Sequence, residues 1–429
     1  MKSSYYSPVL SRLSRLHEPI RIGLVGTGVM GRGLLYQCGI TPGIHCVALA
    51  DVVPQRAIES AEMAGLPYKL VRSVDEANDA IRQGFTAIAE DGDLVAACEG
   101  PSVLIEASNA IAEAGRFSVT ALETGKHLVM MNAEADLIFG PYLMRLAHER
   151  GAVYTSCDGD QHGVIRRLVN DMEIWGFELV MAGNIKGFLD RYSNPTKIIP
   201  EADARQLDYK MATAYTDGTK LCIEMSLLAN ALGLRASIAG MQGPAARDVH
   251  DVFQLFDFER LWAGREPCVD YILGANPGGG VFAVGHCDNL FQQRLMAYYK
   301  MGSGPFFLFY RPYHLCHVEA VECIVDAALD GNSLLEPACG FRTNVYAYAK
   351  RDLRAGESLD GLGGYTCYGL IENCSPQQDG LPVCLTEQVV LRRDIARDAA
   401  IRLNDIEIPA GRLDFELYDL AMKAPAVTV

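Results

Sequence analysis

The sequence predicts an α/β protein that starts with a doubly wound parallel sheet and continues with an α+β domain and a small β-rich domain. Between residues 20 and 155, strand-like apolar runs alternate with helix-like segments, which is the pattern of a parallel sheet with crossover helices. From about residue 341 the chain becomes rich in turn residues, which predicts short strands. We therefore expect domains at 20–155, 156–340 and 341–429, after a disordered tether at residues 1–19.

The composition is that of a globular protein with enough chain for two or three cores. Of 429 residues, 49% are hydrophobic and 21% are charged. The formal net charge of −15 disfavours nucleic acid and anionic membranes as partners, because both need a basic surface. The 13 cysteines form no CxxC pair, which predicts free thiols in a reducing, cytoplasmic compartment. No apolar run of about 18 residues is present, so we expect no membrane span.

A strand and a glycine-rich turn open the predicted sheet. The apolar run 20–25 is typical of a buried parallel strand, and it leads directly into a GxGxxG turn before a helix. The turn consists of Gly26, Thr27, Gly28, Val29, Met30 and Gly31. Gly26 permits the tight turn, Gly28 lets a pyrophosphate approach the backbone, and Gly31 lets the helix pack on the strand. This order predicts a Rossmann domain that binds a dinucleotide at the helix N-terminus.

The next strand ends predict the other contacts to the dinucleotide. Asp51 follows the strand 46–50, and its carboxylate can accept hydrogen bonds from both ribose hydroxyls, which favours NAD. Arg56 lies just beyond and can bind a 2′-phosphate, so NAD and NADP both stay open. Three residues at the next two strand ends complete the predicted cofactor site: Ser108, Asn132 and Glu134.

A polar cluster after the strand 152–155 is the first candidate for chemistry. We expect Asp158 to bind substrate hydroxyls, and Asp160 and His162 to act in catalysis, because this strand end faces the nicotinamide. Asp158 and Asp160, with Glu224, are also candidate ligands of a divalent metal. The alternative is structural, with Asp160 as the N-cap of the following helix.

Two further clusters carry lysines. Lys186 and Lys197, with Asn194, are candidate substrate residues, because an ammonium group can hold a carboxylate or a phosphate. A solvated surface lysine is the alternative for each of them.

The strongest catalytic candidate stands at the start of a helix predicted over 220–232. Lys220 places a cation near the positive end of the helix dipole, which is unfavourable, so another role is indicated. Protonating or polarising a substrate oxygen would be such a role, with Asp217 orienting the lysine. Glu224 shares the helix face of Lys220 at i+4 and is a substrate candidate. The alternative is that Asp217 only caps the helix.

Two further segments point to a family. They are 127–136 and the run Ala-Tyr-Thr-Asp-Gly-Thr-Lys-Leu at 214–221. Together with the GxGxxG turn they resemble homoserine dehydrogenase-like oxidoreductases over residues 20 to about 235. The resemblance implies an acid and a lysine at the substrate, here Asp217 and Lys220. This chain departs from the family at Glu134, where the family has a catalytic lysine.

A second resemblance covers nearly the whole chain. The segments 125–136, 238–244 and 309–315 are similar to bacterial deoxyxylulose-phosphate reductoisomerase-like proteins, which add a C-terminal SAF (β-clip) domain to this core. The resemblance implies that the region from 341 onward is a SAF domain. It also implies a homo-oligomer that acts in carbohydrate metabolism.

These observations leave three functions open. The leading one is an NAD(P)-dependent oxidoreductase that transfers a hydride to or from a small polyhydroxylated, sugar-derived substrate, either free or phosphorylated. The second is reductoisomerase-like activity in isoprenoid precursor synthesis, which requires a phosphate pocket and usually a metal. The third is a non-catalytic regulator that binds NAD(P) without turnover. The grouping of Asp158, Asp160 and His162 after one strand favours an enzyme.

Overall fold

The computed structural model describes residues 5–426, and the chain forms two compact units. The first unit contains the described residues up to 160, together with 315–336 and 416–424. The second contains 161–314, 337–415 and the described residues from 425. Within residues 5–426, none of the helices combines the length and apolarity that crossing a membrane requires.

The first unit is built on a seven-stranded parallel sheet with the order β3-β4-β2-β1-β5-β6-β7. The strands are β1 Ile20–Val25, β2 Ile44–Ala50, β3 Tyr68–Leu70, β4 Thr86–Ala89, β5 Val103–Glu106, β6 His127–Met130 and β7 Tyr154–Ser156. The helices are α1 Pro8–Leu13, α2 Val29–Ile40, α3 Pro54–Met63, α4 Val74–Arg82, α5 Gly92–Ala97, α6 Ala112–Glu123 and α7 Ala133–Arg150. The strand order reverses between β1 and β5, so this sheet has the topological switch point at which α/β proteins bind ligands.

The second unit contains a mixed five-stranded sheet with the order β12-β11-β8-β10-β9. Its strands are β8 Glu178–Lys186, β9 Arg235–Ala236, β10 Cys268–Leu273, β11 Val281–His286 and β12 Phe306–Arg311. The helices are α8 Gln161–Ile174, α9 Ile199–Arg205, α10 Tyr209–Asp217, α11 Thr219–Leu232, α12 Val252–Leu255, α13 Phe258–Leu261 and α14 Leu290–Tyr298. The sheet buries an aromatic and aliphatic core that includes Phe256, Phe258, Trp262 and Phe282.

The rest of the chain supplies short strands and two helices. The strands are β13 Thr343–Ala349, β14 Ser358–Asp360, β15 Cys367–Asn373, β16 Glu387–Leu391 and β17 Ile406–Glu407, and all five belong to the second unit. The helix α15 (Cys316–Val325), a π-helical segment (Asp326–Asp330) and most of α16 (Leu413–Met422) belong to the first unit. The fold class is therefore as predicted: an α/β protein with a parallel Rossmann-like sheet, followed by further sheets.

The predicted tether at residues 1–19 is wrong for the residues that the structure describes, 5–19. Residues 8–13 form α1, and Leu13 is buried in the core of the parallel sheet, with Val9 and Leu10 packed against it. Arg12 forms a salt bridge to Asp330 with an N–O distance of 2.9 Å. The apolar side chains of this segment have the spacing of one helical face, and that pattern outweighed its polar composition.

The sequence pattern also predicts helices over 141–150 and 200–209 and a strand over 178–182, and the structure differs at one boundary of each. The helix predicted over 141–150 starts already at Ala133, so Pro141 lies inside α7. The helix predicted over 200–209 is two helices, because Asp208 caps a new one by accepting a hydrogen bond from the backbone N–H of Met211. The strand predicted over 178–182 continues to Lys186.

Candidate functional site

The glycine-rich turn of the first unit has the geometry that its sequence predicts. Gly26 has φ +91°, and a Cβ there would lie 2.6 Å from the backbone nitrogen of Ser108. A Cβ on Gly31 would overlap the carbonyl oxygen of Gly26. Gly28 is different: it is the N-cap of α2, and nothing lies within 4 Å of its Cβ position. Packing thus explains two of the glycines, while the third faces open space at the helix N-terminus.

Asp51 is buried at the end of β2 and holds this turn in place. Its Oδ2 accepts hydrogen bonds from the backbone N–H and the hydroxyl of Thr27, both at 2.8 Å. Its Oδ1 accepts from the backbone N–H of Val53 at 2.9 Å. A carboxylate has about four lone-pair positions, and these three hydrogen bonds leave Oδ1 able to accept one more, from a ribose hydroxyl. Val29 and Met30 form the first turn of α2, and Arg56 is exposed on α3.

Ser108 and Asn132 shape the loops after β5 and β6. Asn132 caps α7 by accepting a hydrogen bond from the backbone N–H of Ala135, and its amide donates to the carbonyl of Ala110 at 2.5 Å. The hydroxyl of Ser108 accepts from the backbone N–H of Ala110. Glu134 is buried in the first turn of α7. Loop-forming hydrogen bonds therefore engage Ser108 and Asn132, and cofactor contacts of these residues stay a prediction.

Glu106, at the end of β5, is a buried carboxyl that the sequence analysis missed. Its side chain is fully buried, and Oε1 accepts a hydrogen bond from the backbone N–H of Ser108 at 3.0 Å. Burial raises its pKa from the ordinary 4.5 to about 8. An acidic residue at the end of a buried strand was the available signal, since parallel strands end at the ligand-binding edge.

We predict that Glu106→Gln becomes more stable than the wild type as the pH rises. Between 4.5 and about 8, folded Glu106 keeps a proton that the unfolded chain has lost, so wild-type stability falls as the pH rises through that window. Urea unfolding at about pH 5 and about pH 9 should show the advantage of the variant growing by roughly 2–4 kcal/mol. Glu123→Gln, an exposed change on α6, is the control, and an equal pH effect in both variants would contradict the prediction.

The cluster 158–162 is divided between the two units. Asp158 and Asp160 belong to the first unit, whereas His162 is buried in α8 of the second. Asp158 is buried, and its Oδ1 accepts a hydrogen bond from the backbone N–H of Gly159 at 2.7 Å. Asp160 is partly buried, with Oδ1 3.8 Å from the Sγ of Cys316. Their roles in catalysis, substrate binding or metal binding stay predictions.

The second unit contains a buried ion pair that joins distant parts of the chain. The ammonium of Lys350 lies 2.8 Å from Oδ2 of Asp217, and both side chains are buried. Lys350 also donates to the carbonyls of Ser193 and Gly364, both at 2.8 Å. Oδ1 of Asp217 accepts from the backbone N–H of Thr219, the first residue of α11, at 2.9 Å, while Gly218 is the N-cap of that helix. Burial raises the pKa of Asp217, and the charge of Lys350 opposes that rise.

Three more charged residues lie at the end of β8 or on α11, and we call them, together with this pair, the charge cluster: Lys186, Asp217, Lys220, Glu224 and Lys350. The ammonium of Lys186 donates to the carbonyl of Tyr215 at 2.7 Å. Burial lowers the pKa of Lys186, and the charges of Glu224 and Asp217 oppose that change. Lys220 and Glu224 are both buried, one helical turn apart on α11. The structure therefore brings four predicted site residues together and adds Lys350, which was missed.

Asn194 and Lys197 have local roles in the structure. Oδ1 of Asn194 accepts from the backbone N–H groups of Thr196 and Lys197, both at 3.1 Å, and so forms a turn. The side chain of Lys197 is 56% exposed, and its ammonium contacts the carbonyl of Tyr192 at 3.1 Å. This arrangement agrees with the alternative of a solvated surface lysine, and substrate binding by either residue stays a prediction.

Asn184 is a third residue that the sequence analysis did not single out. It lies on β8 two residues before Lys186, so both side chains point to the same face of the sheet. Its side chain is buried, and neither amide atom has a hydrogen-bond partner among residues 5–426. Leaving buried donors and acceptors unpaired costs about 1–3 kcal/mol each, so this amide is suited to a ligand.

Comparisons with known proteins place the second unit near an oxidoreductase family. Residues 159–320 match the family model described as Oxidoreductase DRL, catalytic domain. A curated relative, a glycosyl hydrolase family 109 protein from Porphyromonas gingivalis, is 34% identical over 129 residues, which is 29% of this chain. That match spans a quarter of the relative's length. Residues 186, 217, 220 and 224 of the charge cluster lie within the family match.

Three solved structures are similar at low identity. A putative myo-inositol dehydrogenase from Sinorhizobium meliloti has a TM-score of 0.40 at 13% identity, covering 75% of this chain and 94% of its own. GenD2 from gentamicin A biosynthesis, in complex with NAD, has a TM-score of 0.41 at 15% identity. The match covers 76% of this chain and 90% of GenD2. The 1-deoxy-D-xylulose 5-phosphate reductoisomerase from Zymomonas mobilis, in complex with NADPH, has a TM-score of 0.38 at 11% identity. The match covers 75% of this chain and 83% of the reductoisomerase.

Proposed function

We propose that this protein is an NAD(P)-dependent oxidoreductase that acts on a small polyhydroxylated, sugar-derived substrate, either free or phosphorylated. The observation that carries the proposal is the open space at Gly28, at the N-terminus of α2 and beside the switch point of the parallel sheet. The match of residues 159–320 to an oxidoreductase catalytic domain supports the same class. Homo-oligomer formation stays a prediction.

The residues around Gly28 fit a dinucleotide. The first backbone N–H groups of α2 have no partner within the helix, and they lie at its positive dipole end, where a diphosphate is stabilised. A side chain at Gly28 would fill the space that the diphosphate needs, and none is present. Oδ1 of Asp51 can accept from a ribose hydroxyl, and exposed Arg56 is available for a 2′-phosphate. When bound, the nicotinamide supplies or accepts the hydride.

The charge cluster of the second unit supplies the acid–base chemistry of the proposal. Lys220 donates a proton to the substrate oxygen, or accepts one from it, as the carbon is reduced or oxidised. Asp217 orients that part of α11 through Thr219, and the charge of Lys350 favours the ionised form of the Asp217 carboxylate. Glu224 and Asn184 hold substrate hydroxyls. We keep His162 and Asp160 as additional catalytic candidates, and Asp158, Asp160 and Glu224 as candidate ligands of a divalent metal.

Replacing Gly28 tests the carrying observation. We predict that Gly28→Ala binds NADH and NADPH at least about tenfold more weakly than the wild type, which corresponds to ~1.4 kcal/mol. The new methyl group meets no protein atom, so the loss of affinity reports a clash with the ligand. The measurement is a fluorescence titration of the reduced nucleotides with the full chain.

Gly39→Ala is the matched control, because Gly39 lies on the same helix and its Cβ position is equally open. It should keep the wild-type affinity and gain up to about 1 kcal/mol of stability, since alanine is the better helix former. If the wild type binds neither NADH nor NADPH, the proposed function is wrong. Binding without a redox product from a panel of polyols, aldonates and sugar phosphates would favour the regulator instead.

A further inference from the structure

Arg191, in the second unit, is a cation without an acidic partner among residues 5–426. It lies on the segment that follows β8, and its guanidinium sits over the ring of Tyr368, 5.2 Å from the centroid. Within residues 5–426, its guanidinium forms neither a salt bridge nor a hydrogen bond, although the group is partly buried. Stacking leaves the N–H groups at the edge of the guanidinium plane available for a ligand.

The ring of Tyr368, on which Arg191 stacks, is held in place by several contacts. Tyr368 is buried, and its hydroxyl donates to Oδ1 of Asp398 at 2.9 Å. Tyr348 stacks on the ring of Tyr368 with centroids 5.9 Å apart, and Tyr192 meets it edge-on at 6.3 Å. Asp398 also accepts from the hydroxyl of Tyr192 and lies 3.6 Å from Arg397. The carboxylate of this group is therefore engaged with other partners.

Residues next to Arg191 in the chain contact residues of the charge cluster or their neighbours. The backbone N–H of Asp190 donates to the carbonyl of Thr216 at 2.9 Å, directly before Asp217. Lys350, the partner of Asp217, donates to the carbonyl of Ser193 at 2.8 Å. The segment that carries Arg191 is thus held on both sides by the residues around Asp217.

Electrostatics agrees with this placement. Burial raises the pKa of the Cys222 thiol to about 12, and the charges of Arg191 and Lys186 are among the effects that oppose the rise. Burial also raises the pKa of Tyr271, and the charge of Arg191 opposes that rise too. The same guanidinium therefore acts on α11 and on β10, the strand beside Asn184.

The charge balance of this region calls for an anion. The cluster contains three lysines and two carboxylates, and Arg191 adds a further cation. Lys186 and Lys350 already donate to backbone carbonyls and face carboxylates, whereas Arg191 does neither. A partly buried cation without a partner is costly unless a ligand supplies the opposite charge.

We propose that Arg191 is the residue that binds the anionic group of the substrate, a carboxylate or a phosphate, through two parallel hydrogen bonds. Asn184 then accepts from and donates to a hydroxyl of the same molecule. The planar fork of arginine matches both anions, which a lysine at this position would hold only as a point charge. This inference deepens the proposed function by naming the charge of its substrate, but anion binding itself does not depend on hydride transfer.

The test is isothermal titration calorimetry, in which the full chain is titrated with inorganic phosphate and, separately, with malonate. We expect the wild type to bind at least one of them with millimolar affinity. Arg191→Gln should weaken binding at least about tenfold, and Arg191→Lys by an intermediate factor. Whichever anion binds more tightly identifies the group. Arg397→Gln is the matched control, since Arg397 also stacks on a tyrosine but has Asp398 beside it. That variant should bind like the wild type.

The outcomes separate this inference from the proposed function. NADH and NADPH titrations are run on the same four proteins, and Arg191→Gln should leave nucleotide affinity unchanged. If no nucleotide binds while anion binding depends on Arg191, the proposed function fails and the anion site stands. If neither anion binds up to about 20 mM, or if Arg191→Gln binds as well as the wild type, the inference about Arg191 is overturned.

Discussion

Replacement of Lys350 by methionine will destabilise the protein by about 3–5 kcal/mol at neutral pH. The ammonium of Lys350 neutralises Asp217, and the two side chains are 4% and 0% exposed. Without the lysine, the Asp217 carboxylate is a buried charge without its cation. The carbonyls of Ser193 and Gly364 also lose a hydrogen bond each. Urea unfolding of the full chain, compared with the wild type at pH 7, measures the loss.

The deficit of Lys350→Met should grow as the pH rises. Burial raises the pKa of Asp217, and the charge of Lys350 opposes that rise. Removing Lys350 removes this opposition, so the pKa of folded Asp217 rises further above that of the unfolded chain, and the stability of the variant falls more steeply with rising pH than that of the wild type. We expect a smaller deficit at about pH 5 than at about pH 8, because protonation of Asp217 removes the unpaired charge at the lower pH.

Lys210→Met is a matched control for this experiment. Lys210 also donates to one carbonyl and one carboxylate, those of Asp360 and Glu387, but its side chain is 45% exposed. Its loss should cost at most about 1 kcal/mol with little dependence on pH. Equal losses of unfolding free energy in the two variants would show that the buried ion pair stabilises the protein no more than the exposed one. Asp217→Asn in the Lys350→Met background should recover part of the loss, because it removes the charge itself.

The geometry of the glycine-rich turn could be predicted from the sequence because its determinants are local. The turn 26–31, the strand before it and the helix after it are contiguous, and packing accounts for Gly26 and Gly31, while Gly28 faces open space. The positions of Lys220 and Glu224 on one helix could be predicted for the same reason, since they are one turn apart. Sequence periodicity reports such short-range relations directly.

Two of the residues that were missed, Lys350 and Arg191, depend on contacts between distant parts of the chain. Lys350 pairs with Asp217 across 133 positions of sequence, as their residue numbers show. Arg191 stacks on Tyr368, and these two residues are separated by an even longer stretch of sequence. Without the fold, a lone lysine or arginine has the same appearance as a solvated surface residue. Only burial and the identity of the partner distinguish the two cases.

The α1 segment shows a different limit. Its serines and arginines suggested disorder, yet three apolar side chains at helical spacing were sufficient to attach it to the core. The gain from burying them depends on a receiving surface, here next to β1 and α15, which composition does not reveal. α7 illustrates the same point, since Pro141 is accommodated inside a helix whose residues are mostly buried.

Lys220→Ala should lower kcat by about a thousandfold on the substrate that the redox panel identifies, within the usual range for loss of a general acid or base. Lys220 is buried in the first turn of α11, where the helix dipole disfavours its charge, one turn before Glu224. In the proposed function, this lysine exchanges a proton with the substrate oxygen. Affinity for NADH and NADPH should be unchanged, because the nucleotide turn belongs to the first unit.

Lys126→Ala separates a catalytic loss from a loss of folding. Lys126 is also a buried lysine, but it belongs to the first unit and its ammonium donates to the hydroxyl of Thr124 at 2.9 Å. Its removal should reduce stability while leaving kcat near the wild-type value. If Lys220 acts through its proton, a small primary amine added to Lys220→Ala should restore part of the rate, with a dependence on pH that follows the amine's own pKa. An unchanged kcat in Lys220→Ala would remove this lysine from the mechanism and shift the acid–base role to His162 or Asp160.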